Sequence, residues 1–301
     1  MTAITDTILN PGEKPNERGG GGPVVQWHYS DMQRIYGVQV NWQSASGEKS
    51  MYYDMAMHCK EIKDDIATWE ISKNNIYLDN IRPEGPLELL AIACAEPCYP
   101  FEFAASKDGI IKSLLNTEII KKRFAEAKEI LFRDFGGDIA LQYIDATEQA
   151  LNQPQQLKKI ITTDLWLSLF FSPIIGQYNI GKAKPLSINL PFFGFQESLV
   201  FNGTIRIDKP NFDNKSQALI VETALDGTTI IEGETLLSGK LEATYDIDIP
   251  GHTIRNISCH ATVITDKGEH HLWLNGYQIE TKETPVPEKE DAKSKSWWSV
   301  F

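Results

Sequence analysis

The sequence predicts an α+β fold, an antiparallel β-sheet packed around a central segment of two to three helices. Three observations predict it. Apolar residues alternate with period two through residues 24–115 and again through 186–281. Between these stretches, over residues 117–171, the spacing changes to that of amphipathic helices. Turn pairs such as Asp108-Gly109, Pro250-Gly251 and Lys267-Gly268 separate the periodic runs at short intervals.

In chain order, residues 1–22 read as a disordered leader, polar and Pro-containing, with Gly19–Gly22 as its hinge. Structure is expected from Pro23. Tyr36, Val38, Val40 and Trp42 fall on one side of a strand, and Met51, Tyr53, Met55, Met57 and Cys59 form the facing stripe of a hairpin. Further strands are expected at Ile66–Ile71, Ile76–Leu78, Leu87–Cys94, Phe101–Ala104 and Ile110–Leu115. Thr117–Phe135 then carries Ile120, Phe124, Ala127, Leu131 and Phe135 at helical spacing. Asn116 is the expected N-cap and Gly136-Gly137 the stop. A second helix follows from Asp138 to Leu151, and a third from Pro154 to about Phe171.

The last third returns to strands at Ser198–Ile207, Gln217–Leu225, Lys240–Ile249, Thr253–Thr265 and His270–Thr281, the final three as a meander. A single α+β domain over 23–281 follows, with a flexible tail at 282–301. Periodicity leaves open whether the two strand groups share one sheet.

The run Phe101-Glu102-Phe103, Asp108-Gly109-Ile110-Ile111, the helices to Phe171 and the closing meander together resemble the bacterial lipoprotein-carrier type of fold. They also resemble a group of uncharacterised β-rich bacterial proteins with the same element order. The resemblance spans roughly residues 24–281. It implies a strongly curved, half-barrel-like sheet wrapped around the helices, and binding of an apolar ligand or a partner in the concave face. It does not extend to the exported character of such carriers, because the first 22 residues lack an apolar run behind a basic start.

Composition excludes more than it names. With 42% hydrophobic and 23% charged residues the chain is globular, and a net charge of −12 argues against general affinity for nucleic acid. The longest apolar cluster, Leu165–Ile175, is interrupted by Ser168, Ser172 and Pro173, short of the ~20 residues of a membrane span. A cytoplasmic location and no integral membrane segment are therefore expected.

No catalytic residue, metal ligand set or cofactor motif is assigned. The pairs His58-Cys59 and Cys259-His260 each turn one residue inward on a strand, and Cys59 and Cys259 fit core positions as small hydrophobes. His270-His271 reads as a solvated pair beside a turn. Gly19–Gly22 precedes a strand, so it is a linker and not a phosphate loop.

Two binding features remain. Trp297, Trp298 and Phe301 follow a polar run, and large aromatics on a tether suit recognition of a protein partner or docking onto the chain's own sheet. Phe192, Phe193 and Phe195 form an aromatic loop that either plugs the core or edges an apolar ligand site, with Met55 and Met57 as adaptable apolar neighbours. The expected function is a binding or adaptor protein working through the aromatic tail. Its alternative is a carrier or sensor of an apolar small molecule held between sheet and helices, and an enzyme of unrecognised type is the third and weakest reading.

Overall fold

The computed structural model describes residues 24–25 and 32–279, apart from 46, 107, 175, 178–181, 193–194, 196–197, 208–215, 226–228, 232–233 and 249–252. The predicted leader and the predicted tail, with Trp297, Trp298 and Phe301, lie outside the described residues, as does Phe193.

Fourteen strands and five helices are present among the described residues. The first strand group is β1 (Val24–Val25), β2 (Gln33–Ser44), β3 (Gly47–Lys63) and β4 (Ile66–Leu78). Helix α1 (Pro86–Ala95) and a 3-10 turn (Glu96–Cys98) lead to β5 (Phe101–Ser106) and β6 (Ile111–Leu114). The helical segment holds α2 (Thr117–Asp134), α3 (Asp138–Leu151), α4 (Pro154–Thr162) and α5 (Leu165–Phe170). Then come β7 (Gly176–Gln177), β8 (Lys184–Leu190), β9 (Leu199–Ile207), β10 (Ser216–Leu225) and β11 (Thr229–Ile231). The closing meander is β12 (Glu234–Asp248), β13 (Thr253–Thr265) and β14 (Gly268–Gln278).

Apart from β1 and β7, which pair with each other, one antiparallel sheet holds the strands of both groups, in the order β6-β5-β4-β3-β2-β14-β13-β12-β10-β9-β8 with β11 on β12, and it does not close. The join is β14 on β2, from His271 opposite Gln43 to Gln278 opposite Tyr36. That pairing settles the question periodicity left open. It brings two runs of chain together across more than two hundred residues, which no local pattern encodes.

The alternation was legible. Tyr53, Met55, Met57 and Cys59 of β3 are buried, and so are Ile257, Cys259, Ala261 and Val263 of β13. Four expectations change. Leu87–Cys94 is not a strand but helix α1: Pro86 occupies the first turn, and the Gly85 amide donates to Glu88 Oε2 at 3.3 Å. Leu and Ala favour that state, and a short apolar run alone does not tell the two apart. The two short strands expected after Ile66 are one, β4, because Asn75 takes a left-handed φ of 50° that carries the strand through an irregular register.

The third expected helix is two, because the Asp164 side chain caps a fresh start by accepting from the Leu167 amide at 3.0 Å. Asn116 does not cap α2 with its side chain. Its amide donates instead to Pro100 O at 2.8 Å and accepts from the Glu102 amide at 2.9 Å, tying α2 to β5.

Curvature follows from α5. This six-residue helix, about 9 Å long, and its capping Phe171 touch β8 on one edge of the sheet and Phe103 of β5 near the other. Nine strand intervals separate β5 from β8 in the sheet order, about 43 Å if flat. One short helix meets both because the sheet wraps around it.

Trp166 lies at the centre. Its indole N–H donates to Met57 Sδ at 3.3 Å, and its ring centroid is 4.8 Å from that of Tyr36. Gly276 of β14 lies beneath it, where a Cβ would come within 2.1 Å of the ring. Phe170 and Phe171 meet Trp69 edge-on, at 6.0 and 5.4 Å between centroids. The Tyr245 hydroxyl closes the far side with Leu169 O at 3.1 Å and Ser172 Oγ at 2.9 Å.

Candidate functional site

The other helices stack over the β3–β6 side of the sheet, and a cavity of about 370 Å³ opens among them. Small residues create it. Ala91, Cys94 and Ala95 of α1 face Ala146 and Ala150 of α3, and Leu151 at the end of α3 and Ile160 of α4 bound one end. Tyr99 and Phe101 form the sheet side, and Tyr143, half-exposed, stands at the mouth. Two facing helices that present Ala and Cys where Leu would fill the space leave room for a guest of one or two ring diameters.

The turn that carries Tyr99 is firmly held. Arg123 of α2 donates to the carbonyls of Tyr99 at 2.6 Å, Pro100 at 3.0 Å and Cys98 at 3.3 Å. Lys128 ties α2 to α3 through Asp145 at 3.0 Å and Glu148 at 2.6 Å. The walls are therefore preorganised by charge-assisted bonds.

Tyr99, Phe101 and Ile160 also border a second, smaller cavity of about 180 Å³, and here the chemistry becomes polar. Lys73 of β4 and Asp164 face each other there at 2.7 Å, with side chains 17% and 10% exposed. The ammonium also lies 4.1 Å over the ring of Tyr53. Burial works to lower the Lys73 pKa, but the Asp164 carboxylate outweighs it and holds the lysine charged, above the ordinary lysine range. Burial raises the Tyr53 and Tyr99 phenols, so both stay protonated at neutral pH.

Burial likewise pushes the thiols of Cys94 and Cys98 up to about 11 and that of Cys259 up to about 12. All four cysteines are buried thiols outside any disulfide. Thiols in that state pack as apolar groups and are poor nucleophiles. Among the described residues, no three His, Cys, Asp or Glu side chains are grouped to hold a metal.

The sequence-predicted site residues divide. Met55 lines the small cavity beside Lys73, and Met57 is buried under Trp166. Phe192 is buried, and Phe195 packs on it and on His270, with centroids at 6.0 and 5.7 Å. These two groups do not meet. Met55 shares a row with Gln278, and His270 lies eight residues away along β14, roughly 26 Å.

The histidines separate as alternation requires. His270 turns toward Glu234 at 3.6 Å, while His271 turns to the outer face and lies nearly parallel to Trp273 and His260, both within 6 Å. Burial first, then the neighbouring His271, lowers the His260 pKa. A larger hollow of about 630 Å³ lies beside them on the outer face, over Gly203 and Gly239. It is more open than the α1–α3 cavity.

Sequence reasoning missed the lining of the helical cavity. Alanines at Ala91, Ala95, Ala146 and Ala150 carry no motif. The one available signal was the pairing of two small-residue faces at helical spacing, and it was hidden because Leu87–Cys94 reads as a strand.

No protein-family model matches the chain, and no curated protein does. Among solved structures the chain is similar to lipovitellin, in a structure concerned with lipid–protein interactions in that protein. The TM-score is 0.45 at 10% identity over 86% of this chain, and the chain spans 26% of the lipovitellin chain. Among the described residues no helix is long and apolar enough to cross a membrane.

Proposed function

We propose that the chain is a carrier or sensor of an apolar small molecule, held between α1, α3 and α4 against Tyr99 and Phe101. One observation carries the reading. A preorganised cavity of about 370 Å³, in the size range of small-ligand sites, is lined almost wholly by Ala, Cys, Leu, Ile and aromatic side chains. The Lys73–Asp164 pair lies in the neighbouring cavity, across Tyr99, Phe101 and Ile160, so a guest with an apolar body and a single hydrogen-bonding group directed there fits best. The concavity against the middle of the sheet offers no such room, because α5 and its aromatic neighbours occupy it.

The test is binding of 1-anilinonaphthalene-8-sulfonate and of decanoic acid, followed by fluorescence and native mass spectrometry. The intact chain is expected to take up one equivalent, and Ala150→Phe, which fills the cavity from α3, to weaken uptake at least about tenfold. Equal uptake by the filled variant, or none by the intact chain, defeats the proposal.

A further inference from the structure

Helix α1 poses a physical problem. Glu88 is its sole charged residue, so its sequence is apolar on every side. A helix of that kind is expected to be covered all round. Yet of its residues only Leu90 and Cys94 are buried by the described chain, and Leu87 and Leu89 are 63% and 42% exposed.

On the side of α1 away from the ligand cavity, a groove of about 290 Å³ runs between α1, the 3-10 turn and α2. Ala93, Ala127, Ile130 and Phe135 give it apolar walls, with Ile130 49% exposed. Its charged border is acidic. Glu96 and Glu126 stand on it, the latter 3.9 Å from the exposed Lys122. The groove's remaining charged residues are committed elsewhere, Arg123 to three carbonyls and Asp134 to Arg133.

We propose that α1 and this groove are the docking surface for the chain's own segment Lys293–Phe301. Trp297 and Trp298 cover Leu89 and Ile130, and Lys293 and Lys295 lie against Glu96 and Glu126. The segment's chemistry matches the groove in both respects, two lysines followed by two indoles and a phenyl ring. Its reach suffices. Ile279 leaves the sheet bonded to Ile35 O at 2.8 Å, in line with the row Gln278, Tyr36, Met55, Lys73 that runs toward Tyr99. Four strand intervals separate β14 from β5, about 19 Å, and residues 280–292 extended span about 43 Å. An aromatic anchor on a tether pays little for association, since the tether fixes a high local concentration.

The test uses the full chain, with p-benzoylphenylalanine in place of Trp298. Irradiation is expected to give adducts within one chain, to peptides from 87–97 or 123–135. The pair Glu126→Lys and Ile130→Glu, both at exposed positions, is expected to cut their yield about tenfold. In parallel, Trp297→Ala with Trp298→Ala is expected to speed amide exchange of α1 about tenfold while the unfolding midpoint stays within error.

Adducts between chains would replace the proposal with a second copy as the occupant. Adducts elsewhere in the chain, or α1 exchange unmoved by the tryptophan changes, would overturn it. Ala150→Phe leaves the groove intact, so this inference and the ligand reading fail separately.

Discussion

Helices α5 and α1 are both short and apolar, and the fold treats them in opposite ways. In α5, Trp166, Leu167, Leu169 and Phe170 are each at most 2% exposed, enclosed by strands from both ends of the sheet. In α1, two of ten residues are buried and two leucines face outward. Intrinsic hydrophobicity therefore does not decide burial here. Position relative to the sheet's curvature does. The enclosed helix acts as the structural centre, whereas the uncovered one borders both the α1–α3 cavity and the acidic groove and leaves apolar surface exposed.

Substitutions grade this contrast. The largest effect is expected for Trp166→Ala, a loss of about 4 kcal/mol in denaturant unfolding, since it empties the centre of the concavity. A loss under 1 kcal/mol would mean that the centre lies elsewhere.

Next comes Lys73→Met, at about 3 kcal/mol near pH 7, because it leaves Asp164 without its cation where both are mostly buried. Its pH dependence has a definite sign. The folded-state pKa of Lys73 is raised, so its contribution is complete below the unfolded value of about 10.4. It fades as the pH climbs through the folded value. The gap between wild type and Lys73→Met should stay level from about pH 7 to about pH 10 and narrow above it. A gap that closes between about pH 7 and pH 10 would show that the pair is not what holds α5 to β4.

Gly276→Ala is expected to cost about 2 kcal/mol, since the new methyl meets the Trp166 ring. Tyr245→Phe should cost about 1 kcal/mol through the lost bonds to Leu169 O and Ser172 Oγ. At the far end of the scale is Ile139→Gln on α3. Ile139 is 68% exposed, and its change should stay within about 0.5 kcal/mol. A larger loss there would show that the outer helical surface is covered in solution and would weaken the contrast with α5.

Much of the fold was legible. Strand β13 has the bounds Thr253–Thr265 that its alternation and flanking turn pairs predict, and α2 ends one residue short of expectation. The buried faces of β3 and α2 follow from periods of two and 3.6. Of the candidate binding residues, Met55, Met57 and Phe192 are all buried, and Met55 also borders a cavity. The cavity's own walls were not legible, because Ala and Cys advertise nothing until two helices are brought face to face. The meeting of His260 with His271 was hidden in the same way: each is ordinary on its strand, and register alone places them together.

By itself, the sequence determined what local sterics and patterning control: the strand alternation, the amphipathic helices, the turns and the apolar stripes. Tertiary structure alone decided that β14 pairs with β2 to make one sheet, and that Trp166 seats over Gly276. It also decided that α5 is enclosed while α1 is left partly open. The physical reason is range. A side chain's periodicity is set by its neighbours along the backbone, but whether its apolar face is covered depends on sheet curvature and on contacts between residues over a hundred positions apart.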